Sequence, residues 1–96
     1  MPAYIIADIQ VTDPVAYDDY RPLAAASVAR FGGRFIVRGG KVHLLEGEPQ
    51  PERIVVIEFP DVDTARRWYQ SEGYQAALKI RQAASRGRVL LVEGAG

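Results

Sequence analysis

From Ala3 to Val11 the chain alternates, with Ala3, Ile5, Ala7, Ile9 and Val11 on one side and Tyr4, Ile6, Asp8 and Gln10 on the other. That period of two predicts a first strand. Thr12-Asp13-Pro14 then opens a helix: Asp13 is a good N-cap, and Pro14 suits a first turn that needs no N–H. Tyr17, Tyr20, Ala24, Val28 and Phe31 recur at helical spacing until Gly32-Gly33 stops the pattern. Pro22 lies inside this stretch and removes the bond to the Asp18 carbonyl, which predicts a kink or break. Arg34 to Arg38 reads as a second strand, with Phe35 and Val37 facing one way and Arg34, Ile36 and Arg38 the other. A turn or bulge is expected at Gly39-Gly40, resumed extension from Lys41 to Leu45, and a loop over Glu46 to Glu52. Arg53 to Phe59 is the clearest strand. Asp61 caps a helix through Trp68 and Tyr69, and Ser71 caps a continuation from Glu72 to about Ala84 after a break near Gly73. Arg88 to Glu93 closes the pattern as a last strand.

The resulting order, β-α-β-β-α-β, is that of a ferredoxin-like α+β domain spanning residues 1–96. Its four-stranded antiparallel sheet runs 4-1-3-2 with both helices on one face. The more apolar sets, Ile5, Ala7 and Ile9, Phe35 and Val37, and Val55, Ile57 and Phe59, are expected under the helices. Tyr4, Ile6, Asp8, Arg34, Ile36, Arg38, Ile54, Val56 and Glu58 then fall on the second face. That face is too apolar to leave in water, and a second copy in a two-fold dimer is the simplest cover.

Composition narrows the classes. Ninety-six residues make one small core, and 48% hydrophobic with 25% charged residues is ordinary globular content. Twelve basic residues balance twelve acidic ones, so no net field draws nucleic acid or an anionic membrane. The third strand, Arg-Ile-Val-Val-Ile-Glu-Phe, also offers no aromatic platform for bases. Without cysteine there are no disulfides, thiolate catalysis or sulfur-ligated metals. With one histidine besides, neither a transition-metal site nor a cofactor is expected. No apolar run approaches the ~20 residues of a bilayer span. The start lacks a basic n-region, and a cytoplasmic location is the default expectation.

Candidate chemistry sits at a few positions. Asp8, Arg38 and Glu58 share the second face by parity, either as an interfacial ion pair that fixes dimer register or as a polar site with a carboxylate base and an anion-holding arginine. Tyr17 and Tyr20 share one stripe of the first helix, and Tyr74 and Arg81 share one of the second. They either line a ligand cleft or form a core stripe with hydroxyls at its edge. His43 is a solvated or hydrogen-bonded side chain, or else a general base or haem ligand. Ser71 reads as a helix cap, since no histidine or lysine is placed to activate it. The glycine pairs do not form a phosphate loop.

Several motifs, taken together, carry a family resemblance. Val11-x-Asp13-Pro14 with Tyr17-x-x-Tyr20, Gly32-Gly33-Arg34-Phe35-Ile36-Val37-Arg38-Gly39-Gly40, Leu45-Glu46-Gly47, Arg53 to Pro60, Trp68-Tyr69-x-Ser71, Tyr74-Gln75-Ala76-Ala77, Ile80-Arg81 and Val92-Glu93-Gly94 follow one another in order. The chain in this respect resembles the bacterial family catalogued as domain of unknown function 1330, of the dimeric α/β-barrel superfamily. The resemblance implies two ferredoxin-like sheets facing one another. It implies no reaction, because that superfamily spans cofactor-independent monooxygenases, haem-degrading enzymes, isomerases and stress-induced proteins. The polar positions that match the family pattern are Tyr17, Tyr20, Arg38, Glu46, Glu58, Ser71, Tyr74 and Arg81. Two functions remain open: a dimeric small-molecule-binding protein, with or without cofactor-independent chemistry on a small aromatic or carboxylated metabolite, and a non-catalytic dimerisation or regulatory module.

Overall fold

The computed structural model describes residues 1–95. Its elements are β1 (Ala3–Val11), α1 (Pro14–Arg30), β2 (Arg34–Arg38), β3 (Arg53–Phe59), α2 (Val62–Gln70), α3 (Glu72–Ala84) and β4 (Ser85–Glu93). The strands form one antiparallel sheet in the order β2-β3-β1-β4, the ferredoxin-like topology. The helices share one face of it, with α1 packed along α3. No helix among the described residues is long and apolar enough to cross a membrane.

Local chemistry sets the boundaries. Asp13 caps α1 by accepting from the Ala16 N–H at 3.1 Å, and Asp61 caps α2 by accepting from the Thr64 N–H at 2.7 Å. The break expected at Pro22 does not occur, and α1 runs through it to Arg30. Both Pro22 and Asp18 are exposed, so water can solvate the carbonyl that Pro22 leaves without a donor. The second helical region breaks at Ser71, two residues before the expected Gly73. There the Ser71 hydroxyl donates to the Trp68 carbonyl at 2.7 Å and accepts from the Tyr74 N–H at 3.2 Å. It thus closes one helix and opens the next. β4 begins at Ser85, three residues earlier than its apolar pattern announces, because Ser85, Arg86 and Gly87 pair with Val11, Gln10 and Ile9. Residues 41–45 form no strand. Leu45 is 91% exposed, and no neighbouring strand meets this segment to make extension worthwhile.

Parity along β1 and β3 holds. Ile5, Ile9, Val55, Ile57 and Phe59 are buried beneath the helices, and Tyr4, Ile6, Asp8, Ile54, Val56 and Glu58 lie on the other side. Trp68 anchors the core: its ring lies 4.1 Å from that of Tyr74 and 5.2 Å from that of Phe59, centroid to centroid. Its indole N–H donates to Ser27 Oγ at 3.0 Å, and Ser27 in turn donates to the Ala24 carbonyl at 2.8 Å, so the polar atoms of these two side chains are satisfied.

Parity along β2 does not hold. Phe35 pairs with Ile57, but Val37 pairs with Val56 and Arg38 with Val55, across a bulge between Phe35 and Val37. One extra residue turns Val37 out to the open face and brings Arg38 under the helices. Both placements reverse the sequence expectation.

Candidate functional site

Between α1, α2, α3 and the sheet lies a pocket. Ile5, Ala7, Val55 and Ile57 form its floor, and Tyr17, Tyr20, Trp68 and Tyr74 supply most of its walls. The enclosed space is about 40 Å³, room for a few waters, and reaches about 530 Å³ when the mouth open to solvent is counted.

All five residues expected to bind a ligand, Tyr17, Tyr20, Arg38, Tyr74 and Arg81, line this one pocket. The three tyrosines do so because Asp13 and Ser71 start their helices in the right phase. Tyr17 and Tyr20 are neighbours on α1, with ring centroids 5.3 Å apart, and Tyr74 faces Tyr20 from α3. The Tyr20 and Tyr74 hydroxyls are hydrogen-bonded at 2.9 Å. Burial, reinforced by the neighbouring Tyr74, raises the Tyr20 phenol further above its ordinary range, against the opposing pull of Arg81. Tyr20 is therefore a phenol and not a phenolate. One proton of the hydroxyl pair lies between the two oxygens, and the second O–H is left to point elsewhere.

The basic groups are the second feature. Arg21, Arg38, Arg53 and Arg81 line the pocket, and no Asp, Glu or His does. The Arg38 guanidinium lies 4.2 Å from the centre of the Phe35 ring, as the bulge in β2 dictates. Arg21 and Arg53 approach the Tyr17 ring at 5.5 and 5.7 Å. Arg81 is buried, at 8% exposure. The Nε atoms of Arg53 and Arg81 are cut off from solvent and meet no acceptor among the described residues. Arg53 was missed at the sequence level, although parity gives it away: it shares a face with Val55, Ile57 and Phe59. Its place is cleared by Gly39, at φ +75°, where a Cβ would lie 2.8 Å from the Arg53 Cζ.

The candidate catalytic positions scatter. Arg38 is in the pocket, on the far side of the sheet from Asp8 and Glu58, so the three form neither an ion pair nor a site. Glu58 lies opposite Tyr4 and Asp8 opposite Ile54, which separates the two carboxylates by about 13 Å along the strands. The partner of Glu58 is Arg34, whose Nε donates at 2.8 Å, with the Tyr4 hydroxyl donating at 3.3 Å. The Arg34 bond holds the Glu58 carboxyl below the usual carboxylate range. His43 and Glu46 are exposed on the β2–β3 connection, outside the pocket, and Ser71 caps α3. No three His, Cys, Asp or Glu side chains among the described residues converge as a metal site.

A ferredoxin-like sheet with an aromatic pocket under its helices defines a small α+β protein. The sequence profile described as Domain of unknown function (DUF1330) matches residues 2–95, and the chain belongs to that family. No curated protein matches it. Among solved structures it is similar to RPA0582, a protein of unknown function from Rhodopseudomonas palustris, at 20% identity and a TM-score of 0.82 over 99% of this chain and 83% of that one. It is also similar to SnoaB, a cofactor-independent oxygenase from Streptomyces nogalater, at 19% identity and a TM-score of 0.64 over 99% and 94% of the two chains. An antibiotic biosynthesis monooxygenase shares 22% identity and a TM-score of 0.56 over the full length of both. At these identities the likeness extends to the fold.

Proposed function

We propose that this protein is a homodimer in which each copy binds a small molecule in the pocket between the helices and the sheet. The observation that carries the ligand half is the lining itself, aromatic walls with a hydrogen-bonded phenol pair and four guanidinium groups without a carboxylate. A core needs none of these, since plain aliphatic side chains would fill the same space. No His, Asp or Glu lines the pocket to serve as a base, and burial keeps Tyr20 protonated. That favours a substrate whose own acidity starts the chemistry, in keeping with the cofactor-independent oxygenase among the fold relatives. The dimer half rests on the open face, where Ile36, Val37, Leu90 and Val92 are each at least 40% exposed beside Ile6, Ile54 and Val56. A second copy of that face covers it.

Native mass spectrometry tests both halves together. A dimer is expected, and Ile54→Asp should weaken it by about 100-fold or more, the scale of an unpaired charge in an interface. In parallel, nuclear magnetic resonance with small organic acids, alcohols and amides should shift the Tyr20, Trp68 and Tyr74 signals, and Ala7→Leu, which fills the floor, should abolish those shifts. A monomer would overturn the dimer. Pocket signals indifferent to every compound would overturn the ligand site and leave a non-catalytic dimerisation module.

A further inference from the structure

We infer that the group this pocket recognises is a small organic carboxylate, held by Arg81 and Arg53 with a third hydrogen bond from the Tyr20–Tyr74 hydroxyl pair; the inference rests on the pocket being a ligand site. Guanidinium groups carry a fixed charge, and burying one without an acceptor is unfavourable unless something else supplies the acceptor. Four of them line this pocket with no carboxylate among the lining residues. Arg21 has its own partner, Asp18 at 3.5 Å, and Arg38 stacks on Phe35 at the exposed rim. Arg53 and Arg81 are different. Each keeps an Nε shielded from solvent and unpartnered, and Arg81 is 8% exposed.

Structural explanations account for part of this. Arg81 lies in the last turn of α3, where a cation suits the helix dipole, and Arg53 stacks on Tyr17. Neither interaction supplies these guanidinium groups with a hydrogen-bond acceptor. A carboxylate does, because its oxygens accept from guanidinium donors at fixed angles. The hydroxyl pair completes the set, since its second O–H has no partner within the pair. Gly39 keeps the space that the Arg53 guanidinium occupies. The remaining lining is aliphatic and aromatic, which suits the carbon body of an organic acid better than a free phosphate. The enclosed volume of about 40 Å³ calls for a small acid, or for Arg38 and Arg21 at the exposed rim to swing aside for a ring.

The test is calorimetric titration of the intact protein with acetate, benzoate, neutral benzamide and inorganic phosphate, in the wild type, Arg81→Gln and Arg53→Gln. At least one of the two carboxylates should bind ten-fold or more tightly than benzamide. Each substitution should remove about ten-fold or more of that preference while leaving benzamide unchanged. If Arg81→Gln does not fold, Arg53→Gln, in a partly exposed position, carries the test. Benzamide binding as well as both carboxylates would overturn the anion inference and leave the pocket as a ligand site. Phosphate outcompeting both carboxylates would overturn the choice of carboxylate. Silence toward all four compounds would overturn the inference, and silence of the pocket's resonance signals toward the alcohols and amides as well would overturn the ligand site with it.

Discussion

The two faces of the sheet share a backbone and treat charge in opposite ways. On the open face Glu58 accepts from Arg34 and Tyr4, so its charge is answered within the chain, and around it stand aliphatic side chains. Under the helices, Arg53 and Arg81 sit among aromatic rings with donors unanswered. Internal pairing fixes a structure and leaves little for a ligand to gain. Unanswered donors behind an aromatic wall leave a great deal. The open face therefore suits a second copy, and the covered face suits a small anion.

The comparison breaks most sharply at two neighbours on β3. Ile57 points under the helices at 5% exposure, and Val56, half-buried, points out to the open face. Ile57→Ala should cost about 2–5 kcal/mol in chemical denaturation, whatever the protein concentration. Val56→Ala should cost less than about 1 kcal/mol at dilutions where copies are apart, and more where they associate. A large cost at Val56 that ignores concentration would make the open face part of the core.

Next in size is Gly39. Its φ of +75° disfavours any side chain, and a Cβ there meets the Arg53 guanidinium. Gly39→Ala should lower stability by about 1–2 kcal/mol and also remove the preference for carboxylate over benzamide. Gly40→Ala is the control, because no atom lies within 4 Å of its Cβ position. It should stay within about 0.5 kcal/mol of wild type. Equal behaviour of the two variants would mean that the Arg53 position does not matter.

Element order, both strand faces of β1 and β3, and the tyrosine stripe were legible in the sequence, because they depend on period-two and period-3.6 patterns and on strong caps at Asp13, Asp61 and Ser71. The pocket's arginines were only half legible. Arg38 was assigned to the wrong face because nothing in Arg-Phe-Ile-Val-Arg announces a bulge, and a single extra residue inverts everything after it. Arg53 was readable by parity but lay at a strand end, where polar residues are usually read as boundary. The Arg34–Glu58 pair follows from register, which depends on how three strands align and not on any one of them. The break at Pro22 failed to appear for a related reason, since its cost depends on whether the freed carbonyl faces solvent, a tertiary fact.

The smallest expected effect concerns pH and the open face. Hydrogen bonding to Arg34, the leading cause, lowers the Glu58 carboxyl below its ordinary 4.5, so the fold favours the ionised form. A depressed carboxylate contributes stability that is present above the unfolded value and is lost as pH falls through the folded one. The wild type should therefore melt higher than Glu58→Gln at pH 7, and the gap should close as pH drops from about 5 toward 3. Arg34 is 73% exposed, so the same gap should shrink in 1 M salt, where charges are screened over about 3 Å. A gap that persists at pH 3 would mean that Glu58 contributes by packing or by neutral hydrogen bonds, and the open face would then no longer be the one that answers its own charge.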